Sequence, residues 1–295
     1  MTETIRHLAW SLLTLVGVDK RKFHEKLGMW SVGMAVAEKG YGELIKKLRE
    51  IQPDLSEQYS SGKEAYNDYA EFKLRGMHAF QCSLMLGLLD SLPEGTLTVV
   101  DIGDSAGTHM KYLQGLTQGR YDIDAISINL DPRAVEKIKA KGQKALLCRA
   151  EELDLGADRS VDLFTSFEMV EHLHNPAIFF RRLSKRSRCS RMLITVPYRR
   201  ESRVGLHNVR NGATGKVYAE DEHVFELNPR DWSLLLLHSG WGVVREEIYL
   251  QYPARLPVIG RALAWYWRNS DFEGFWGAVL EKDTAFADRY MDWED

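Results

Sequence analysis

Leu97-Thr98-Val99-Val100-Asp101-Ile102-Gly103-Asp104-Ser105-Ala106-Gly107 passes from an apolar, β-branched run into a turn of small residues. Residues 97–102 read as a buried strand, and a helical pattern resumes over 108–116. A strand, a small-residue turn and a helix in that order form the first unit of a doubly wound sheet. There the turn lies at the carboxyl edge, where ligands bind. Small residues allow close backbone approach, the helix start offers unpaired N–H groups, and Asp101 can accept hydrogen bonds from an ammonium or hydroxyls.

The alternation continues outward from this unit. Strands are expected at 125–130, 145–148, 161–167 and 192–197, and helices at 132–141, 168–172 and 177–183. Pro132 and Asn175-Pro176 are helix-start residues. This rhythm predicts right-handed βαβ units and a mostly parallel sheet covered on both faces, an α/β doubly wound fold. Past residue 198 it loosens into a long connection, 198–227, which in a compact domain is usually functional or disordered. A helix over 229–238 and two last strands, 242–250 and 275–280, bring the sheet to seven. Before residue 96 the pattern is helical. A helix is expected over 62–92, and two or three shorter ones over 1–60, separated near Gly28 and around Gly40 and Gly42, with a stop at Pro53. The division is therefore a helical N-terminal region, 1–95, that partly covers the ligand edge, and a catalytic α/β domain, 96–295. Residues 198–227 and 251–274 are expected to shape an acceptor pocket.

Composition narrows the classes. A net charge of -3 over 295 residues argues against a nucleic-acid footprint. Three cysteines without C-x-x-C spacing indicate neither a disulfide framework nor a zinc knuckle, and suit a reducing, cytoplasmic setting. The apolar stretch 8–18 is too short to span a bilayer and makes a poor signal peptide. Leu256 to Trp267 reads as a helix packed on the domain, although Trp265-Tyr266-Trp267 also suits a lipid interface. The turn itself lacks the third glycine of a dinucleotide fingerprint and the Gly-Lys-Ser/Thr of a P-loop, which disfavours NAD and ATP.

Five segments in order resemble the class I S-adenosylmethionine (SAM)-dependent methyltransferases, particularly the ubiquinone-type O-methyltransferase group. Residues 99–107 look like the first motif, and 125–132 like the second strand with its ribose-binding end. Ala150-Glu151-Glu152-Leu153 looks like the adenine loop, 162–173 like the fourth strand with the E-x-x-E-H that often follows, and 193–197 like the fifth strand. The resemblance covers roughly residues 75–282. It implies a Rossmann-like methyltransferase fold, SAM as cofactor, and cofactor contacts from Asp101, Gly103, Asp104, Ser105, Gly107, Asn129, Asp131, Glu151 and Phe167. Four positions depart from the pattern, the first being Asp104, an unusual charge beside the methionine end that could pair with the ammonium. Ser105 replaces a glycine, Asn129 stands where a ribose carboxylate is usual, and Arg149 stands where an acid is common.

Methyl transfer is an in-line displacement, so alignment dominates, with a base for an oxygen or nitrogen acceptor. Glu168, Glu171 and His172 are spaced i, i+3, i+4, which on a helix is one face. His223 follows the long connection. His172, His223 and Glu168 are the candidate catalytic residues, with His174 a weaker rival. Small-RNA 2′-O-methyltransferases resemble this chain in an E-x-x-E-H and a later His that hold Mg²⁺. That resemblance implies a divalent site at Glu168, Glu171, His172 and His223; packing and capping are the alternative. Arg181 to Arg191 read as a solvated basic face, whereas Arg199, Arg200, Arg203 and Arg210 follow the fifth strand on the ligand edge and suit an anionic acceptor group. The expected activity is methyl transfer from SAM to oxygen or nitrogen of a small-molecule or saccharide-like acceptor. The alternatives are a metal-assisted RNA 2′-O-methyltransferase, a non-catalytic interaction protein that kept the fold, and an enzyme working at a membrane surface.

Overall fold

A computed structural model describes residues 19–56, 58, 66–155 and 160–290. The stretch 8–18 and the start of the helix expected from Gly62 lie outside them. Helices α1 (Lys20–Lys39), α2 (Gly42–Ile51) and α3 (Asp68–Leu89) precede β1 (Gly95–Ile102). Then follow α4 (Thr108–Thr117), β2 (Tyr121–Asn129), α5 (Pro132–Ala140), β3 (Lys144–Leu147), β4 (Leu163–Phe167), α6 (Pro176–Arg186) and β5 (Arg191–Pro197). The long connection holds β6 (Arg203–Val204), a single helical turn α7 (His207–Arg210) and β7 (Phe225–Glu226). The chain continues with α8 (Pro229–His238), β8 (Trp241–Leu250), α9 (Pro257–Ser270) and β9 (Gly274–Lys282).

Among the described residues the main sheet has seven strands in the order β3-β2-β1-β4-β5-β9-β8, all parallel except β9, which runs against both neighbours. The expected doubly wound fold is present. Alternation along the strands sends neighbouring residues into two cores. Val99 packs with α3, α4 and the N-terminal helices, and Val100 with Phe179, Trp232 and Trp241 on the other face. The order reverses at β1, so the carboxyl ends of β1, β2 and β4 lie side by side.

Two local expectations fail for physical reasons. Gly28 does not end a helix: α1 runs through it, and the missing side chain admits the Tyr69 ring, which a Cβ there would strike. Residues 168–172 are not an α-helix. Glu168 takes φ 49°, and only Val170–His172 form a 3₁₀ turn. The basic run is not simply solvated either. Arg181 is buried and pairs with Asp288 at 2.9 Å, and Arg182 donates to the Glu151 carbonyl.

Buried polar side chains fix α3 in place. Arg75, fully buried, donates to the carbonyls of Leu48, Gln52 and Pro53, to the Tyr112 hydroxyl and to Glu71. It thereby ties α3 to the end of α2, through the Leu48 carbonyl inside that helix and the Gln52 and Pro53 carbonyls just beyond it.

Candidate active site

The turn after β1 is held from inside. Gly103 sits at φ 96° with Met169 packed where a Cβ would stand, and Gly107 caps α4 at φ 73°. The Asp104 carboxylate accepts the amides of Ala106 and Gly107 and the Ser127 hydroxyl. It therefore braces the loop. Asn129 donates to the Asp104 carbonyl and accepts from the Asp131 amide, while Asp131 caps α5 and pairs with Arg133 at 3.0 Å. Ser105, the departure from glycine, donates to the Gln58 carbonyl, and Thr108 donates to the Gln58 side chain, so the hydroxyls fasten the N-terminal segment to this turn. Glu151 is the middle residue of a 3₁₀ turn over 150–152 beside Arg149, and Phe167 ends β4 with its ring 4.6 Å from that of His109.

Asp101 is buried. One oxygen accepts from Thr165; the other has no hydrogen-bond partner and lies 4.0 Å from His109 Nδ1. Burial, then the nearby Asp104 charge, push its carboxyl well above the usual range, against the Thr165 bond. Burial likewise pulls His109 down to about 4.

A polar row on α3 continues inward: His109 Nε2 meets Gln81 Oε1 at 2.8 Å, and Gln81 donates to Thr195. Sequence reasoning missed Gln81 and Gln58. Arg75, His78 and Gln81 stand three residues apart on an otherwise apolar helix face, and that spacing is the signal that was available.

The second cluster forms where the 3₁₀ turn after β4 meets the β6–β7 hairpin. Val224 N donates to the Glu171 carbonyl, and Leu206 N to that of His223. Gly205 permits this approach, because a Cβ there would collide with the His223 carbonyl. One ligating atom each from Glu171, His172 and His223 lies within 4.8 Å of the others. Both Glu171 oxygens and Glu168 Oε1 are buried without a hydrogen-bond partner. His172 Nδ1 faces the Glu222 carbonyl at 3.1 Å, which leaves Nε2 as the basic nitrogen, 4.0 Å from Glu171 Oε1. His223 lies edge to face with His172 at 4.6 Å, stacks on Phe272 at 5.3 Å, and places Nδ1 3.6 Å from Glu226. Against the penalty of burial, His223 and Arg203 hydrogen-bond Glu226 and, with Arg199, hold it at about 2. Arg199 and Arg203 are thus committed to Glu226, and Arg200 to Glu273 at 2.9 Å. His174 is exposed and apart from the cluster.

Burial pushes Glu168 up to about 8 despite its Thr195 bond; burial and the Glu168 charge push Glu171 well above its ordinary range. A carboxyl raised in the folded state adds stability at low pH that is lost as pH rises through the folded value. The Glu168 contribution is therefore complete below the ordinary carboxyl value of 4.5 and gone above about 8. Glu168→Gln should gain stability relative to wild type across that interval by a few kcal/mol. Thermal unfolding of both proteins in chelator at several pH values checks this, and a pH-independent difference excludes it.

The Methyltransferase domain family matches residues 100–188. A search of curated proteins finds no significant match. Among solved structures, the fold is similar to that of the cyclopropane synthase MmaA2 from Mycobacterium tuberculosis, with a TM-score of 0.50 and 16% identity over 80% of this chain and 94% of that one. A putative methyltransferase from Haloferax volcanii, solved with the Trm112 activator, gives 0.50 and 18% over 72% and 94%. The [4+2]-cyclase SpnF gives 0.50 and 12% over 85% and 97%. One of these names is a cyclase, so the shared fold alone does not assign a reaction; the family match over the motif-bearing segment does. Residues 100–188 thus carry a methyltransferase domain on the doubly wound fold, and the activity that this domain supports is SAM-dependent methyl transfer.

Proposed function

We propose that the enzyme transfers the SAM methyl group to a hydroxyl oxygen of a small-molecule or saccharide-like acceptor, with a divalent cation at Glu168, Glu171, His172 and His223. One observation carries this reading: Glu171 keeps two unpartnered, fully buried oxygens beside two imidazoles. Buried carboxylates normally have partners, and a cation supplies one. The mixed oxygen and nitrogen donor set suits Mg or Mn, with Zn or Fe as options.

The first turn fits SAM. The unpartnered Asp101 oxygen suits an ammonium, and Gly103 and Gly107 at positive φ give the turn its tight course. In this reading Gly103, Ser105 and Gly107 line the methionine end while Asp104 braces their loop. Asn129 and Asp131 face the ribose, Glu151 the adenine amino group, and Phe167 the space between. Bound there, SAM supplies an electrophilic methyl. Residues 1–95 partly cover this edge through Gln58, and segments 198–227 and 251–274 shape the acceptor pocket. The cluster residues would hold a cation that orients the acceptor hydroxyl and lowers the cost of its deprotonation; when no cation occupies the cluster, His172 and His223 are the groups placed to take the proton. The ubiquinone-type likeness points the same way, toward oxygen.

Methyl-labelled SAM offered with a panel of sugars and small alcohols tests the reading. Transfer that stops with chelator and returns with one divalent ion is expected. Transfer that is insensitive to chelator overturns the metal, and labelling confined to amines or RNA overturns the acceptor class.

A further inference from the structure

Helices α1 and α9 lie side by side. Trp267 donates to Ser31 Oγ at 2.9 Å, Ser31 donates to the Gln251 carbonyl at 2.7 Å, and His24 meets the Tyr266 hydroxyl. Val32 and Val36 of α1, and Leu263, Ala264 and Trp267 of α9, point into the core. What remains on each helix is an outward face at helical spacing: Phe23, Lys26 and Trp30 on α1; Val258, Arg261 and Trp265 on α9. Val258 is 82% exposed, Trp265 51% and Trp30 47%. Scattered exposed apolar residues are ordinary, but two half-wet tryptophans and an almost bare valine on adjoining helices are a patch.

The charge around that patch has one sign on α9. Residues 251–270 contain Arg255, Arg261 and Arg268 and no acid. Arg268 pairs with Glu273, whereas among the described residues no carboxylate meets the guanidinium of Arg255 or Arg261. No helix among the described residues is long and apolar enough to cross a membrane. Tryptophans at half depth, flanked by arginines whose guanidinium groups meet no carboxylate among the described residues (the Arg255 amide donates to Glu38), are the composition of a surface that lies on a bilayer rather than in it.

We propose that the α1–α9 face docks the enzyme on an anionic membrane surface. The arginines meet lipid phosphates, and Trp30, Val258 and Trp265 enter the headgroup boundary. α9 runs directly into Asp271-Phe272-Glu273, where Phe272 stacks on His223 and Glu273 receives Arg200. Docking therefore sets the candidate site close to the lipid surface, where an acceptor borne on a lipid would be presented.

The test is sedimentation of the full-length protein with vesicles of equal parts phosphatidylserine and phosphatidylcholine, against phosphatidylcholine alone. Binding to the mixed vesicles, much weaker binding to the neutral ones, and weakening by salt are expected. Arg255→Gln with Arg261→Gln should lower the affinity about 25-fold, roughly fivefold for each charge removed. Trp30→Ser with Trp265→Ser should release the protein from vesicles. Unchanged melting temperature and S-adenosylhomocysteine affinity in these variants show that the fold is intact. Equal binding to both vesicle types, or binding untouched by the substitutions, overturns the proposal. So does a dimer by light scattering that Val258→Asp disperses, because the face is then a contact between copies. The readout is sedimentation, so failure of the metal or acceptor reading leaves this result standing.

Discussion

Replacing Glu171 with glutamine is expected to remove divalent-ion binding and methyl transfer together, while S-adenosylhomocysteine binding persists. The carboxylate is fully buried and its oxygens have no hydrogen-bond partner, so in the ion's absence it contributes only a desolvation penalty. An amide is neutral and a poorer ligand. Residues that merely brace a metal ligand are worth about 10- to 100-fold in affinity, so loss of the ligand itself should exceed about a hundredfold. The same change should raise the melting temperature of the chelated protein, since it deletes a carboxyl that burial and Glu168 already disfavour in its charged form. Calorimetric titration with Mn²⁺ and thermal unfolding in chelator measure both. Unaltered Mn²⁺ affinity would show that the unpartnered oxygens have another cause.

Asp101→Asn is expected to weaken S-adenosylhomocysteine binding by about a hundredfold, the size of a charge-assisted hydrogen bond between ammonium and carboxylate, about 1.5–3 kcal/mol. Shape and the Thr165 bond survive the change; the charge does not. Wild-type binding should also release a proton. Burial and Asp104 hold the Asp101 carboxyl above its ordinary range in the free protein, and a ligand ammonium stabilises the ionised form. Affinity should therefore rise with pH until Asp101 ionises unaided, and Asp101→Asn should remove that slope. Calorimetry in buffers of different ionisation enthalpy counts the proton. A full-affinity Asn variant would move the ammonium elsewhere.

The parallel part of the sheet was legible because its signals are local: apolar runs of strand length, helix-start residues at Pro132 and Asn175-Pro176, and short connections. Gly28 misled because propensity reports what glycine costs a helix and not what a neighbouring ring gains from its missing side chain. Residues 168–172 misled similarly. Acid, acid and imidazole at i, i+3, i+4 suggest one helical face, but the chain turns through a left-handed Glu168, and Met169 then covers Gly103. The residue types of the second cluster were readable, but their meeting was not. His223 reaches His172 only because the β6–β7 hairpin folds back and Gly205 lets two backbones approach, and neither leaves a periodic trace. The arginines after β5 looked available to a ligand because sequence does not display Glu226 and Glu273, their partners, as neighbours. Ser105 looked like a defect in a glycine pattern until its hydroxyl was seen to hold Gln58.

The reversed strand β9 lies inside the sheet, between β5 and β8. On the ribosome, the six strands that run one way emerge first, and the gap between β5 and β8 stays open until residue 282 has been made. Until then β5 exposes a row of unpaired backbone groups and the apolar side chains that Trp276 and Leu280 will cover, with Arg191 waiting for Glu281 across ninety residues of intervening chain. Such late, long-range closure is slow and leaves a nascent edge open to other strands. The sheet is therefore completed only when β9 enters between two strands that precede it in the chain.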